Sequence, residues 1–332
     1  MENEITREPC REFADRLNQW SGQKIPFLFV VDFEKRKPVA LRMEDIDPGE
    51  MLYDINGFTN AKETGAIQSA VKEIIRKIPI SSEEYERKFN KVLSHLAFGD
   101  SFLTNLTIDT EVELRHSLKE LFFISKAKYK LWYKDQFLVF SPETFVRIQD
   151  GKIFSYPMKG TIDASLPNAE DKILADKKEL AEHVTIVDLI RNDLSQVAQE
   201  VSVSRFRYVD KLKTNQKTLL QVSSEVTGQL SSEYTSRLGD ILITLLPAGS
   251  VSGAPKPRTL DIIRETEGTE RGYYTGVFGY FDGKKLDSGV MIRFIERRAD
   301  RYFYRSGGGI TTQSFPDTEY QEAIDKVYVP VN

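Results

Sequence analysis

The stretch KYKLWYKDQFLVFSPETFVRIQDGKIFSYPMKG (128–160) decides the fold class. It is made of short strand-like runs that are rich in aromatic and β-branched residues and separated by turn residues. Asp150-Gly151 supplies a tight hairpin turn between two of these runs. The stretch therefore predicts a meander of antiparallel strands. Because helices alternate with such hairpins elsewhere, we predict an α+β protein rather than a doubly wound parallel sheet.

Further elements are predicted on both sides of this meander. The predicted strands are PFLFVVDF (26–33), KPVALRM (37–43), SFLTNLT (101–107), TLLQVSSEVTGQL (218–230), GYYTGVFGYFDG (272–283), SGVMIRFIERR (288–298) and RYFYRSGGGI (301–310). The predicted helices are 59–78, 82–96, 176–197, 236–247, 256–265 and a last one that begins near Asp317 or Thr318, where Thr318 and Gln321 fit a capping box. Helical spacing predicts one buried stripe on the helix at 176–197, formed by Leu180, Val184, Val187, Ile190 or Arg191, and Leu194. With no convincing linker, we predict one domain over 1–332, with a shortened part at 1–99 and a motif-bearing part at 100–332.

The composition excludes several classes of function. A formal net charge of -4, from 46 basic and 50 acidic residues, provides no basic field for nucleic acid or an anionic membrane. The N-terminal residues lack the apolar core of a signal peptide, and no apolar run is long enough to cross a bilayer. Cys10 is the single cysteine, so a disulfide within the chain is impossible and a reducing compartment is expected. We expect a cytoplasmic protein.

The ligand residues available to a metal favour a hard cation. The chain has three histidines, His95, His116 and His183, and one cysteine, so a zinc site built from histidines or thiolates is not expected. If a metal is used, carboxylates should hold it, which favours magnesium or a similar ion.

Two pairs of glutamates have a spacing that places both carboxylates on one side of a helix. Glu319 and Glu322 lie three residues apart on the last predicted helix, and Glu179 and Glu182 repeat this spacing on the helix at 176–197. One interpretation is a solvated helix face, with Lys326 forming an ion pair with Glu322. The other is that both pairs meet around one divalent cation. The spacing alone leaves both open.

Small residues suggest two places where backbone amides face an anion. Gly307–Gly309 follow a strand, and Ser252–Ala254 precede a helix. Both segments are equally compatible with ordinary turns, and neither matches the dinucleotide fingerprint or the Walker loop. Arg293 is predicted to lie within a strand, either facing water or pointing into a cavity toward a carboxylate. Lys159 is either a surface charge or an amine in a pocket.

Taken together, these segments resemble the chorismate-utilising enzymes, the family of anthranilate synthase component I, aminodeoxychorismate synthase component I, and the isochorismate and salicylate synthases. The matching segments, in chain order, are SPE (141–143), PMKGT (157–161), LAEHVTIVDLIRND (180–193), GSVSGAPK (249–256), YYTGVFGY (273–280), IR (292–293), RSGGGI (305–310) and EYQEAIDKV (319–327). The resemblance covers the chain from about residue 100 onward and is looser before it.

The resemblance implies an anthranilate synthase component I-like α+β sandwich of two antiparallel sheets, with helices outside and with chorismate and Mg2+ at its centre. It maps the metal ligands onto Glu182 and Glu322, with Glu179 and Glu319 as direct or water-mediated supports. Magnesium would neutralise the ring carboxylate of chorismate and ease departure of the C4 hydroxyl. Glu143 occupies the position of the general acid that protonates this hydroxyl.

The resemblance also implies how chorismate is bound. Arg293 and the amides of Gly307, Gly308 and Gly309 would hold the enolpyruvyl carboxylate. Tyr274 would lie beside them, and Lys326 near the metal-bound carboxylate. The remaining residues predicted to bind substrate are Gly160, Thr161, Gln221, Ser250, Ser252 and Gly253.

Lys159 distinguishes between members of the family. Anthranilate synthases typically carry alanine at this motif position, whereas PMKGT is the form typical of aminodeoxychorismate synthase component I. There the lysine is thought to attack C2 of chorismate as the C4 hydroxyl leaves, and ammonia then attacks C4 and expels the lysine. This chemistry needs a neutral amine, which burial near other cationic groups can provide. The resemblance implies that a separate glutamine amidotransferase subunit supplies the ammonia, for p-aminobenzoate and folate synthesis.

Three departures from the family pattern bear on this assignment. Gln221 replaces a histidine, so it can orient a group but cannot shuttle a proton. Leu103 takes the place of the lysine that activates water in isochorismate and salicylate synthases, which argues against water as the nucleophile. The part before residue 100 is short and lacks the Leu-Leu-Glu-Ser segment that binds feedback tryptophan. The alternatives are an anthranilate or isochorismate synthase, or a non-catalytic chorismate-binding subunit.

Overall fold

The computed structural model describes residues 4–62, 73–213 and 218–331. These residues form two antiparallel β-sheets with helices on their outer faces. The helices in these residues are α1 (Glu4–Gly22), α2 (Ser82–Phe98), α3 (Leu118–Ile124), α4 (Ala169–Ala175), α5 (Lys177–Ser195), α6 (Leu238–Leu245), α7 (Lys256–Glu267) and α8 (Pro316–Asp325). Among these described helices, none has the length and the apolar character that crossing a membrane requires.

The strands follow the chain in short hairpins. They are β1 (Phe27–Val31), β2 (Val39–Arg42), β3 (Met51–Ile55), β4 (Phe58–Thr59), β5 (Ile74–Pro79), β6 (Leu103–Leu114), β7 (Tyr129–Tyr133), β8 (Phe137–Ser141), β9 (Thr144–Gln149), β10 (Lys152–Ser155), β11 (Met158–Asp163), β12 (Gln199–Lys213), β13 (Thr218–Gln229), β14 (Gly253–Ala254), β15 (Val277–Phe281), β16 (Leu286–Val290), β17 (Phe294–Arg298) and β18 (Arg301–Ile310).

The strand order explains how distant segments meet. The first sheet runs β11-β13-β10-β9-β16-β15-β1-β2, with β12 paired to β13. The second runs β14-β6-β18-β17-β8-β7-β3-β4, with β5 paired to β6. The pairs at the centre of both sheets, such as β9 with β16 and β6 with β18, are antiparallel. The predicted α+β class with two antiparallel sheets is confirmed.

The core has a layer between the sheets and layers outside them. Between the sheets, Leu28 and Phe278 of the first sheet pack with Leu131 and Val139 of the second. Other apolar clusters cover the outer faces, where α1, α5 and α6 lie on the first sheet and α2, α3, α7 and α8 on the second. Burial of both faces of each sheet holds the sandwich together.

The predicted meander at 128–160 is confirmed, but it is divided between the sheets. Strands β7 and β8 belong to the second sheet and β9, β10 and β11 to the first, so the chain crosses between sheets at Glu143. A second crossing occurs between β16 and β17, next to the first: Phe140 N donates to Arg293 O at 3.1 Å and Val290 N donates to Glu143 O at 3.1 Å. The crossings bring two separate motifs together.

This second crossing corrects the prediction for Arg293. SGVMIRFIERR is two strands rather than one, and Arg293 lies between them with φ +53°, in the left-handed region. A non-glycine residue in this region is uncommon and fits the sharp change of direction between the sheets. The predicted placement of Arg293 within a strand is therefore wrong, although its side chain does reach a cavity.

Two helix predictions also need correction. The helix predicted at 59–78 is wrong at both ends, where Phe58–Thr59 and Ile74–Pro79 are strands; residues 63–72, in its middle, lie outside the described residues. The last helix begins at Pro316 after Phe315, and no side chain caps it, so the predicted Thr318 capping box is wrong. Proline sets the helix start instead, because its missing N–H costs nothing there.

Candidate active site

A cavity of about 380 Å³, called the chamber below, lies where the two crossings, β11, α5 and the end of β18 converge. Most of the residues with a predicted catalytic or binding role line it. These are Glu143, Lys159, Glu182, Ser250, Tyr274, Arg293, Gly307, Gly308, Gly309 and Lys326. Segments that are far apart in the sequence therefore form one site.

Lys159 reaches the chamber from an irregular part of β11. The pairing of β11 with β13 shifts between Met158 and Thr161, and Gly160 has φ +81° in between. A Cβ on Gly160 would also lie only 2.8 Å from Glu179 Oε2. Glycine therefore fits both the backbone conformation and the close approach of α5, and the irregularity turns Lys159 toward that helix.

The charge on Lys159 is set by carboxylates. Its Nζ lies 2.7 Å from Glu182 Oε2. Burial alone lowers the pKa of Lys159, but Glu182, Glu179 and Glu322 together outweigh burial and raise the pKa above its ordinary value. The nearest charged neighbours of this amine are therefore carboxylates, and the neutral form that the chemistry needs stays a prediction.

The two predicted glutamate pairs approach each other beside the chamber, although only Glu182 of the four lines it. Glu182 contacts Lys159 from α5, and on α8 Glu322 forms an ion pair of 2.7 Å with Lys326. Glu319 is buried, and a Cβ on Gly308 would lie 3.5 Å from its Oε2. The interpretation as a solvated face correctly gave the ion pair, but it does not account for the burial of Glu319.

The donor atoms at this junction suit a hard cation. The carboxylates of Glu179, Glu182, Glu319 and Glu322 provide only oxygen ligands, which are the ligands that magnesium prefers. Within residues 4–62, 73–213 and 218–331, no three His, Cys, Asp or Glu side chains are close enough together to hold a metal ion. The ammonium groups of Lys159 and Lys326 bond to two of these carboxylates. The donors fit Mg2+ by type, whereas their spacing among the described residues does not form a metal-binding cluster.

Two cations, Lys326 and Arg293, also line the chamber. Lys326 Nζ donates to Gly307 O at 2.8 Å, and Arg293 donates to Lys326 O at 2.8 Å. The Arg293 guanidinium lies 4.9 Å from the centre of the Tyr328 ring. Burial lowers the pKa of Lys326; Glu322 opposes this effect, and the charges of Arg293 and Lys159 add to it. This wall is suited to a carboxylate.

The glycine triplet of β18 is required by packing against β6. A Cβ on Gly307 would overlap the carbonyl oxygen of Leu106, and a Cβ on Gly309 would lie 2.8 Å from Leu103 Cδ1. Gly308 faces the other way, toward Lys326. Two of the three glycines are therefore necessary for the strand pairing itself, and all three leave backbone close to the chamber.

Glu143 has the properties of an acid. It lies at the first crossing between sheets, where the Ser250 hydroxyl donates a hydrogen bond to Glu143 Oε1. Burial raises the pKa of Glu143 above its ordinary value, and the bond from Ser250 partly offsets this effect. A raised pKa keeps the carboxyl protonated at higher pH, so that Glu143 can donate a proton into the chamber.

A buried ion pair fixes the loop that carries Ser250. Lys256 Nζ lies 2.9 Å from Asp193 Oδ1 and donates to Leu245 O at 3.1 Å. Gly249 packs against the same aspartate, since a Cβ there would lie 2.6 Å from Asp193 Oδ2. The matched segments LIRND and GSVSGAPK are thereby joined behind Glu143.

Some predicted residues do not line the chamber. Thr161 pairs with Gln221 on the first sheet, and Thr161 is exposed. Ser252 donates to Ala248 O at 3.0 Å within its own turn. Gly253 has φ +140°, and a Cβ there would overlap Leu103 O. Binding roles for these residues stay predictions, and their observed contacts serve the fold.

Tyr274 lines the chamber as expected and is neutral. Burial raises the pKa of its hydroxyl to about 12, with Arg271 and Arg305 opposing that rise. The Arg305 guanidinium lies 5.2 Å from the centre of the Tyr274 ring. The histidines have other partners: His95 contacts Asp100 and His116 contacts Glu73, each at 2.7 Å.

His183 likewise contacts Ser224, at 2.7 Å, and burial together with the charge of Arg207 lowers its pKa to about 4. A neutral imidazole next to Glu182 in the sequence adds no charge to the carboxylate cluster.

The polar residues of the chamber wall that the sequence reasoning missed include Asn105 and Ser306. Both lie two positions from a residue that the motifs singled out, Leu103 and Gly308 respectively. Since side chains two apart on a strand share a face, this alternation was the signal that would have found them.

Comparison with known proteins places these features in a family. The sequence model of the chorismate binding enzymes matches residues 35–332. An uncharacterized PabA-like protein of Haemophilus influenzae is 46% identical over 327 residues, which cover 98% of this chain and 99% of that protein.

More distant relatives have assigned names. Aminodeoxychorismate synthase component 1 of Bacillus subtilis is 32% identical over 265 residues, covering 75% of this chain and 55% of that protein, so the match spans about half of its length. The crystal structure of anthranilate synthase component I from Streptococcus pneumoniae TIGR4 superposes with a TM-score of 0.65 at 29% identity, covering 77% of this chain and 59% of that one. The chain belongs to the chorismate binding enzyme family.

Proposed function

We propose that this chain is component I of an aminodeoxychorismate synthase, which replaces the C4 hydroxyl of chorismate with an amine derived from ammonia. The observation that carries the proposal is that Lys159 and Glu143 line the same chamber, which provides a nucleophile and a proton donor for a displacement. The named relative from Bacillus subtilis supports it.

In the first step, the ammonium of Lys159 releases a proton to solvent, and Nζ, now the free amine, forms a bond to C2 of chorismate. The two ring double bonds shift, and the C4–O bond breaks. Glu143 protonates the departing hydroxyl, which leaves as water; the raised pKa of Glu143 favours the acid form that this step consumes.

In the second step, ammonia attacks C4, the double bonds shift back, and the bond between C2 and Lys159 breaks. The surplus proton of the new C4 ammonium returns to Glu143. The products are 4-amino-4-deoxychorismate, water and the free enzyme. The net exchange is one hydroxyl for one amine, with no change in oxidation state, so no electron carrier is needed.

Arg293 and the amides of Gly307–Gly309 would orient the substrate by its enolpyruvyl carboxylate, with Lys326 near the ring carboxylate. The carboxylates of Glu182 and Glu322, supported by Glu179 and Glu319, are the residues that would hold Mg2+. When bound, magnesium supplies positive charge that offsets the ring carboxylate and these glutamates. The ion pairs that the lysines make with the same glutamates are consistent with a site that attracts cations.

Ammonia rather than water is proposed as the second nucleophile because Leu103 lines the chamber where family members that use water carry a lysine. An aliphatic side chain cannot remove a proton from water, whereas neutral ammonia attacks without such help. A separate glutamine amidotransferase subunit would deliver it, and the product would enter p-aminobenzoate and folate synthesis.

A product assay tests this proposal. The intact chain is incubated with chorismate, Mg2+ and an ammonium salt, beside Lys159→Ala. The expected result is 4-amino-4-deoxychorismate from the intact chain and a loss of at least about a thousandfold in the variant, because a nucleophile acts as a unit with its acid. Anthranilate or isochorismate as the product would refute the proposed reaction, and binding without any turnover would favour a non-catalytic subunit.

A further inference from the structure

Ser306 has a hydroxyl group that the fold does not use. The residue lines the chamber and is only 4% exposed. Its Oγ is buried and has no hydrogen-bond partner among the residues that the structure describes. Burying a hydroxyl without a partner is unfavourable, so such a group in a ligand chamber points to a partner that arrives with the ligand.

The position of Ser306 in β18 identifies the part of the chamber that it faces. On this strand Tyr304, Ser306 and Gly308 share one face, because side chains alternate along a strand. Gly308 faces Lys326, whose Nζ would lie 3.5 Å from a Cβ at that position. Ser306 is therefore one step along the same face from the lysine.

On the other side of Ser306, Tyr304 is linked through Tyr328 to the second cation, Arg293. The Tyr304 hydroxyl donates to Tyr328 O at 3.0 Å, and the ring of Tyr328 lies against the Arg293 guanidinium. Ser306 thus lies on the strand between Tyr304, which contacts the Tyr328 that packs on Arg293, and Gly308, which faces Lys326. Those two cations form the wall that suits a carboxylate.

We propose that Ser306 is a substrate-positioning residue whose hydroxyl donates a hydrogen bond to the ligand carboxylate held by Arg293. This inference rests on the proposed function, because it takes the ligand of the chamber to be the dicarboxylate chorismate. A neutral hydroxyl adds a directed donor beside two cations without adding charge. A directional hydrogen bond restricts the orientation of the carboxylate more than the attraction of a positive charge does.

A positioning role and a structural role for Ser306 predict different effects on stability. If its hydroxyl supported the fold, its removal would break a bond and lower the melting temperature of the ligand-free protein. Because Oγ has no partner, Ser306→Ala should leave that melting temperature unchanged or raise it.

The test combines this measurement with kinetics. For Ser306→Ala we expect the KM for chorismate at saturating ammonium to rise about tenfold, as for a lost hydrogen bond to a charged group, while kcat falls by a smaller factor. The increase in melting temperature that chorismate and Mg2+ produce should shrink as well. Ser306→Thr keeps a hydroxyl and should return KM most of the way to the wild-type value.

Thr110→Val is the matched control, since the Thr110 hydroxyl is also buried without a partner among the described residues but lies outside the chamber wall. Its KM should equal that of the wild type. An unchanged KM in Ser306→Ala, or an equal rise in Thr110→Val, would overturn the proposal. The identity of the wild-type product decides the proposed function separately: a different chorismate-derived product refutes that function and leaves the comparison of KM values able to judge Ser306. If wild-type protein neither binds nor converts chorismate, both proposals fail.

Discussion

Lys159 Nζ lies 2.7 Å from Glu182 Oε2, and the same distance separates Lys326 Nζ from Glu322 Oε1. The two pairs look alike, but their charges respond differently to their surroundings. The pKa of Lys159 is raised, since three carboxylates outweigh its burial, whereas burial lowers the pKa of Lys326. The pKa directions by themselves favour Lys326 as the free amine, so the assignment of Lys159 as nucleophile and Lys326 as binding residue rests on the PMKGT motif.

Replacement of Lys326 tests this division. Lys326→Met removes the bond to Gly307 O and a positive charge from the carboxylate-binding wall. We expect the KM for chorismate to rise by about tenfold to a hundredfold, while product formation continues. Steady-state kinetics beside Lys159→Ala gives the comparison. Complete loss of product in Lys326→Met, with Lys159→Ala still active, would reverse the two assignments.

Glu143→Gln tests the acid. Glutamine keeps the shape of the side chain and a hydrogen bond to Ser250, but it has no proton to give. We expect kcat to fall by about a hundredfold to ten-thousandfold with little change in the KM for chorismate. Rates measured over a range of substrate concentrations separate the two constants. A KM effect with an unchanged kcat would show that Glu143 only binds substrate.

The dependence of rate on pH provides a test through Ser250. The proposed step needs protonated Glu143, so the rate should fall as pH rises through the pKa of this group. The hydrogen bond from Ser250 lowers that pKa against the effect of burial, so Ser250→Ala should raise it and move the fall to higher pH. The measurement is kcat against pH for both proteins. A fall displaced to lower pH would contradict the assignment.

Within the glycine triplet, Gly308 serves as a control for the effect of close packing at Gly307 on stability. Gly307→Ala places a methyl group on the carbonyl of Leu106 and should destabilise the fold by about 1–3 kcal/mol. Gly308→Ala meets no heavy atom closer than 3.5 Å and should be tolerated much better. Urea denaturation of both variants measures the difference. Equal stabilities would show that β6 and β18 do not approach as closely as described.

The ion pair behind Glu143 should be important for stability. Lys256→Met leaves the Asp193 carboxylate buried and should cost about 3–5 kcal/mol at neutral pH. Burial already raises the pKa of Asp193, and loss of Lys256 would raise it further. A carboxyl whose pKa is higher in the folded state loses stability as pH rises through that pKa, so the defect should shrink in mild acid.

Urea denaturation at two pH values checks this prediction, with the exposed Lys284→Met as control. The double variant Asp193→Asn with Lys256→Met should recover part of the loss, because it removes the uncompensated charge. A defect that grows in acid would contradict the account.

Short-range patterns predicted most of the elements but not their partners. The hairpin turn at Asp150 and the apolar runs around it are local signals, and the meander followed from them. That the meander changes sheets at Glu143 depends on hydrogen bonds to Val290 and Arg293, which are about 150 residues away. Such pairing leaves no local trace. The strand at Ile74–Pro79 was missed for the same reason, because its pairing with β6 overrides helical spacing.

Helical spacing correctly gave part of the buried stripe on α5. Val187, Ile190 and Leu194 are buried, but Leu180 and Val184 are exposed. The first turns of α5 run beside the chamber instead of the apolar layer under the first sheet. Likewise, α1 was not predicted, because its sequence is largely charged and polar and the buried residues Phe13 and Leu17 give only a weak apolar pattern.

For the site, the motifs identified many residues of the chamber wall, whereas the charge state of Lys159 and the unused hydroxyl of Ser306 depend on the folded structure. Both are properties of neighbours that come from other strands and helices. A motif shows which residue type is present, but it does not show how many carboxylates surround it.

The most direct test of the central claim is a search for the covalent adduct on Lys159. The intact chain is mixed with chorismate and Mg2+ in the absence of ammonia, quenched, digested and analysed by mass spectrometry. The account predicts that the peptide containing Lys159 carries the mass of chorismate less one water, and that ammonium added before the quench removes this adduct. Formation of 4-amino-4-deoxychorismate with no adduct under any quench, or an adduct on Lys326 instead, would contradict it.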